Sequence, residues 1–281
     1  MEALILDGRK IAKDMEAEGR GRAEYLREAH GITPTLATIL VGEDPASVTY
    51  VRMKGNACRR TGIQSRKVIL PGDSTTEDLL KAIEALNADE GVHGILLQHP
   101  VPQQIDERRC FQAIALEKDV DGVHTGNFGA MSMGLPCMFS ATPYAIMTLL
   151  KAYNIPVAGK EAVVIGRSPI LGKPVSMMLL NADATVTICH SKTERLPEVV
   201  HRADLVVAAV GKPRFVQGDW IKEGAVLIDA GYNPGNIGDI DLEQAIPHCS
   251  AYTPVPGGVG PVTIARLVGQ TIDAAARRAG I

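Results

Sequence analysis

The sequence predicts an α/β protein of two domains: an N-terminal α/β domain, a Rossmann-like domain after it, and a C-terminal helix that returns to the first domain. Three observations predict this. Helical and strand-like patterns alternate along the chain, as they do where parallel strands are joined by crossover helices. They fall into two sets, separated by the irregular stretch "KDVDGVHTGNFGAMSMGLPC". Finally, the Gly/Pro-rich "TPVPGGVGPVT" precedes a last helical pattern over 262–278, whose apolar face needs a partner surface. The domains are therefore drawn as 1–139 plus 262–281, and 140–261.

In the first set a charged helix over about 8–29 leads to a strand at "TLATILVG". A helix over about 45–60 follows, then a strand at "KVIL", a helix near 77–87 and a strand at "GILLQ". The second set opens with a helix over about 143–153. Its first strand, "AVVI", runs into a glycine-opened loop, 166–172, and Pro174 then suits the first turn of a helix, where its missing N–H costs nothing. Strands follow at "TVTICH", "LVVAAV" and "AVLIDAG". No internal repeat or low-complexity segment is present.

Composition narrows the function classes. With 281 residues, 46% hydrophobic and 22% charged, the chain reads as an ordinary globular protein long enough for two domains. A formal charge of −3 gives no electrostatic reason to expect nucleic acid or an anionic membrane as partner. The five cysteines are far apart with no C-x-x-C, so neither a disulfide framework nor a metal site is expected, and a reducing cytoplasm fits best. The start "MEALILDGRK" lacks the pattern of a signal peptide, and no stretch is long and apolar enough for a membrane span.

The stretch "AVVIGRSPILGKPVSMMLL" has the outline of a dinucleotide-binding turn without its middle glycine. Alone it is equally compatible with an ordinary strand-to-helix connection. The next strand says more. NAD-binding units place an acid about 20 residues after the glycine turn, against the ribose hydroxyls. Here that strand ends in His190, Ser191, Lys192 and Thr193. A hydroxyl and a cation suit the extra phosphate of NADP, which Arg167 could also reach; otherwise Lys192 and Arg167 are solvated surface charges.

In the first set, Ser47, Tyr50 and Lys54 fall at i, i+3 and i+7 on one helix stripe, with Val51 and Cys58. A lysine there either snorkels to water or sits partly desolvated with a lowered pKa. Gln98 ends the apolar strand "GILLQ", and ligands of open α/β sheets collect at the carboxyl ends of strands. Asp121 of "KDVDG" reads by default, from the residues alone, as a turn-forming Asp-Gly.

Taken together, "VGEDPASVTYVRMK", "GILLQHPVP", "KDVDG", "GRSPILGKP" and "TPVPGGVGP", with the longer "GKPRFVQGDWIKEGAVLIDAG", stand in the order and at the separations of one family. The chain resembles the bifunctional methylenetetrahydrofolate dehydrogenase/cyclohydrolase family over nearly its whole length. The resemblance implies oxidation of 5,10-methylenetetrahydrofolate by NADP, hydrolysis of the methenyl product to 10-formyltetrahydrofolate, a homodimer, and a supply of one-carbon units to purine biosynthesis. It casts the first domain as catalytic and the second as NADP-binding. Lys54 would be the general base, with Gln98 setting its protonation and orientation. Tyr50 would pack along the folate beside Ser47, and Asp121 would accept hydrogen bonds from the pterin. Pro256, Gly257 and Gly258 would close a loop over the folate. Gly166, Arg167, Ser168, Ile170, Gly172, His190, Ser191 and Gly211 would hold NADP.

Two departures stand out. Ser140 and Ala141 replace a Pro-Cys pair common in the family, and His99 replaces the usual leucine after the glutamine. The alternatives are a dehydrogenase-only relative and a protein that binds NADP and folate without turnover.

Overall fold

A computed structural model describes residues 2–281. The chain divides into two compact units. One comprises Lys13–Ala130, Pro136–Ala141 and Ile264–Ile281; the other comprises the chain up to Ala12, Met131–Leu135 and Thr142–Thr263.

The strands among the described residues, numbered in chain order, are β1 (Leu4–Ile5), β2 (Thr35–Val41), β3 (Gln64–Leu70), β4 (Gly94–Leu97), β5 (Glu161–Ile165), β6 (Thr185–Cys189), β7 (Leu205–Ala208), β8 (Ala225–Asp229) and β9 (Cys249–Tyr252). The first unit is built on a three-stranded sheet of order β3-β2-β4, parallel throughout. Its central strand, "TLATILV", is apolar apart from Thr35 and Thr38 and is buried at every position, as a strand with both faces covered is. The helix Pro45–Thr61 follows β2. Its start is fixed by Asp44, whose carboxylate accepts the Ser47 N–H at 2.8 Å, and by Pro45 in the first turn; Gly62, at φ +77°, ends it. The helix Thr76–Ala88 opens with a reciprocal capping box between Thr75 and Asp78.

The final helix runs Val259–Arg278, starting three residues earlier than its periodicity suggests, because Pro261 is tolerated in a first turn. From Ile264 onward its apolar residues Leu267, Val268, Ile272 and Ala275 join Leu26, Leu36, Ala57, Leu96 and Val120 in one core. The C-terminal helix thus completes the first unit's core.

The second unit carries six parallel strands in the order β1-β9-β8-β7-β5-β6. β5 is flanked by β6 on one side and β7 on the other, so the chain reverses direction across the sheet there, the switch point where Rossmann-type sheets bind ligands.

Three features depart from the sequence reading. Leu4 and Ile5 pair with Ala251 and Tyr252, so the N-terminal residues belong to the six-stranded sheet and not to the first domain as drawn from sequence. Two residues of strand carry too little pattern to reveal this. The stretch after β4 is more ordered than expected, with helices at Glu107–Ala113 and Thr125–Ser132. The strand "CSAY" was also unforeseen, because only alternate residues are buried.

Candidate functional site

The Pro45–Thr61 helix buries the face that carries Ser47, Val51 and Cys58, with Tyr50 and Lys54 half-buried beside them. Lys54 does not reach out to water. Its Nζ donates to Gln98 Oε1 at 2.9 Å, and the Gln98 amide is oriented by donation from Nε2 to the His99 carbonyl at 2.7 Å. Gln98 is buried where it leaves β4, its N–H continuing the ladder to the Ile39 carbonyl at 2.9 Å. Burial pushes the Lys54 ammonium below its ordinary value, and the Asp121 carboxylate pulls the other way.

The "KDVDG" turn divides its charges among three tasks. Lys118 is buried and donates to the carbonyls of Leu86, Asn87 and Asp89 at 3.0, 2.8 and 2.7 Å, capping the end of the Thr76–Ala88 helix. Asp119 is fully buried and accepts the N–H groups of Val123 and His124 and the Asn127 amide, shaping the following turn. Asp121 alone makes no side-chain hydrogen bond among the described residues. Burial raises its carboxyl to about 6, against the attraction of Lys54. A carboxylate with both oxygens uncommitted, next to an amine held by a neutral amide, can accept donors from a ligand and share a site with a proton-transfer group.

In the other unit, three loops leave the carboxyl ends of neighbouring strands β6, β5 and β7. Ile165 pairs with both Cys189 and Ala208, and the ladder extends through Gly166 N–H to the Cys189 carbonyl at 2.9 Å. This sets Gly166, Arg167 and Ser168 beside the turn His190–Ser191–Lys192–Thr193, and beside the loop through Gly211. The two glycines of 166–172 are required by packing. A Cβ on Gly166, at φ +130°, would stand 2.2 Å from the Ala209 carbonyl oxygen, and one on Gly172 would stand 2.3 Å from the Gly166 oxygen. Ser168 Oγ accepts the N–H groups of Leu171 and Gly172 at 3.1 and 3.2 Å, so its hydroxyl proton remains for a ligand. Ile170 is half-buried in the same turn. His190 Nδ1 accepts the Lys192 N–H at 3.2 Å. Arg167 and Ser191 are exposed and have no hydrogen-bond partner among the described residues. A tight backbone cradle with an unpartnered guanidinium and a free hydroxyl fits a phosphorylated dinucleotide.

Pro256, Gly257 and Gly258 follow β9 in this same unit, apart in the chain division from the unit of Lys54, Gln98 and Asp121. Gly257, at φ +118°, accepts the Gly8 N–H at 2.9 Å. Sequence reasoning missed this support from "DGR", and also Asp119, Asp229 and Asp239. Asp239, fully buried, accepts the N–H groups of Val210, Gly211 and Lys212 at 2.6, 2.9 and 2.9 Å and so shapes the Gly211 loop. The Ser140 departure is buried and donates to the Gly122 carbonyl; the other departure, His99, has its Nδ1 2.6 Å from Glu107 Oε1. Among the described residues no group of three or more His, Cys, Asp or Glu could hold a metal ion, and no helix is long and apolar enough to cross a membrane.

Residues 6–121 match the family described as tetrahydrofolate dehydrogenase/cyclohydrolase, catalytic domain, and residues 140–279 match its NAD(P)-binding domain. The bifunctional protein FolD of Acidobacterium capsulatum is 62% identical over 282 residues, covering 100% of both chains. That of Acinetobacter baumannii is 61% identical, covering 99% of this chain and 100% of its own. Among solved structures, the FolD dehydrogenase/cyclohydrolase of Campylobacter jejuni superposes with a TM-score of 0.95 at 43% identity, covering 98% of this chain and 99% of its own. The Trypanosoma brucei dehydrogenase-cyclohydrolase, complexed with NADP and an inhibitor, gives 0.96 at 36% identity with 100% of both chains covered. Shikimate dehydrogenase from Thermus thermophilus, at 15% identity and a TM-score of 0.55 over 86% of this chain and 98% of its own, shares the fold alone.

Proposed function

The chain belongs to the tetrahydrofolate dehydrogenase/cyclohydrolase family, and from that premise we propose how its residues divide the work. It is a bifunctional enzyme that oxidises 5,10-methylenetetrahydrofolate with NADP and hydrolyses 5,10-methenyltetrahydrofolate to 10-formyltetrahydrofolate. When bound, NADP supplies the acceptor for the hydride that the methylene carbon loses. Asp121 accepts the pterin's amino and ring N–H donors, Tyr50 packs along the folate beside Ser47, and Pro256, Gly257 and Gly258 contribute loop backbone. Lys54 takes the proton of the water that attacks the methenyl carbon, and Gln98 holds the amine without adding charge. The observation that carries this reading is the Lys54 Nζ to Gln98 Oε1 contact at 2.9 Å beside an uncommitted Asp121 carboxylate. It is tested by mixing the protein with methylenetetrahydrofolate and either NADP or NAD: reduced cofactor should appear, faster with NADP. Absence of any reduced cofactor would overturn it.

The raised pKa of the Asp121 carboxyl gives a pH dependence. Donors from the pterin stabilise the ionised carboxylate, so substrate binding lowers this pKa, and by linkage affinity rises with pH through the free-enzyme value of about 6. The KM for methylenetetrahydrofolate should therefore climb as pH falls below about 6. Asp121→Asn should flatten that dependence. A KM that stays constant from pH 7 to 5 in the wild type would count against Asp121 as the pterin acceptor.

NADP is held on this reading by Gly166, Arg167, Ser168, Ile170, Gly172, His190, Ser191 and Gly211, with Arg167 and Ser191 on its extra phosphate. Hydrogen bonds to charged groups contribute about 1.5–3 kcal/mol each. Arg167→Ala should thus weaken NADP binding by about one to two orders of magnitude and leave NAD binding little changed. Equal losses for both would place Arg167 on the pyrophosphate or in support of the loop.

The same reading carries a homodimer, a reducing cytoplasm and a supply of one-carbon units for purine biosynthesis. Five buried, unpaired cysteines support the reducing compartment. Sedimentation at micromolar concentration tests the dimer.

A further inference from the structure

Asp121 sits at the centre of three residues whose carbonyls are each held from another part of the chain. The Val120 carbonyl accepts from Gln270 Nε2 at 2.7 Å, the Asp121 carbonyl from the Ala141 N–H at 3.2 Å, and the Gly122 carbonyl from Ser140 Oγ at 2.8 Å. Gln270 is buried on the final helix, and its amide is fully used: Nε2 also donates to the Phe139 carbonyl at 2.8 Å, while Oε1 accepts the Phe139 N–H at 2.7 Å. One side chain therefore ties the final helix to the strand of chain before Ser140 and to the turn before Asp121. Ser140 then ties the far side of that turn. The approach is close: a Cβ on Gly122, at φ +63°, would lie 2.3 Å from the Ser140 nitrogen.

We propose that Gln270 and Ser140 are positioning residues that fix the Asp121 carboxylate for the folate substrate. The inference rests on the reading of Asp121 as the pterin acceptor. An Asp-Gly turn left to itself is pliable, and a carboxylate that must meet two donors of a rigid ring loses binding when its backbone shifts by a fraction of an ångström. Fixing the backbone on both sides removes that freedom before the substrate arrives.

The test is a double-mutant cycle read by equilibrium binding of tetrahydrofolate to the full-length protein. Ser140→Ala deletes one oxygen and is expected to weaken tetrahydrofolate binding about 2- to 10-fold, the range of one ordinary hydrogen bond, with NADP affinity unchanged. In an Asp121→Asn background the same change should have no further effect. Ser140→Thr, which keeps the hydroxyl, should bind as wild type does. Gln270→Met is expected to act in the same direction and more strongly, with a thermal melt to show that it folds; if it does not fold, the Ser140 cycle stands alone. Equal losses from Ser140→Ala in both backgrounds, no loss at all, or a parallel loss for NADP would overturn the inference. Unchanged tetrahydrofolate binding in Asp121→Asn alone would overturn the reading of Asp121 itself, and the inference with it.

Discussion

Asp239→Ala is expected to lower the thermal midpoint by on the order of 10 °C and to weaken NADP binding by at least about tenfold, although no part of Asp239 is exposed to touch a ligand. Its carboxylate gathers three consecutive backbone N–H groups, those of Val210, Gly211 and Lys212, and also the Asn233 amide at 3.0 Å. Its own N–H donates to Asp229 Oδ1 at 2.9 Å, and Asp229 accepts from Gly231 and Ile240 as well. The loops after β7 and β8 are thus wound around two buried carboxylates. Removing one leaves four donors without an acceptor, at about 1–3 kcal/mol for each that stays buried. Lys212 and Gly211 lie near solvent, so water relieves part of this, and a net loss of about 3–5 kcal/mol is a large share of a domain's stability. Asp239→Asn keeps one accepting oxygen and should fall between. A midpoint within 2 °C of wild type, on about the 2–4 °C per kcal/mol scale for chains of this size, would mean that water replaces the carboxylate at almost no cost.

The parts of the fold legible in the sequence were those written as long, uniform patterns. "GILL" and "AVVI" are short apolar runs, and "TLATILV", between Pro34 and Gly42, is broken only by two threonines; each is a buried strand. The Pro45–Thr61 helix announced both its start, with Asp44 and Pro45, and its end, with Gly62. Elements shorter than one period of their own pattern were not legible. Leu4 and Ile5 are too few to show alternation, and their partner β9 exposes Ser250. The helix Glu107–Ala113 did carry a signal, Asp106 before an acidic first turn, which the surrounding prolines and glutamines obscured.

The candidate site divides similarly. The stripe of Ser47, Tyr50 and Lys54 follows from helical spacing, but its meeting with Gln98, forty-four positions away, depends on β2 and β4 lying side by side. Spacing alone does not encode that. Asp119, Asp229 and Asp239 were missed for another reason. Their partners are mostly backbone N–H groups, which every residue but proline carries, so no sequence pattern marks them. Asp121 differs from Asp119 in lacking such partners and in being less buried, and those differences exist only in three dimensions.

Lys54→Met is expected to abolish methenyltetrahydrofolate hydrolysis, by about 10²-fold or more if general-base catalysis has its usual size, while NADP binding stays intact. The two reactions make unequal demands on the lysine. Losing a hydride from the methylene carbon generates the methenyl cation directly, and that step needs positioning and electrostatics more than it needs a base. Water attacking the methenyl carbon must lose a proton as it does so. A lysine serves there only as the free amine, and it is most effective with a pKa brought down to about 7–8. Burial moves Lys54 in that direction, and a cationic substrate moves it further, since each disfavours an ammonium. The Asp121 carboxylate opposes the shift in the empty site, and engagement with the pterin's donors spreads its charge and weakens that opposition. Gln98 Oε1 accepts one amine hydrogen at 2.9 Å and leaves the lone pair for the water's proton. Because the lowered pKa must be passed for the amine to form, wild-type hydrolysis should rise with pH and level off once Lys54 is neutral. The measurement is the decay of methenyltetrahydrofolate absorbance in both proteins across pH, corrected for the uncatalysed rate. Hydrolysis by Lys54→Met near the wild-type rate, with the same pH dependence, would remove Lys54 from the mechanism and leave its contact with Gln98 a structural one.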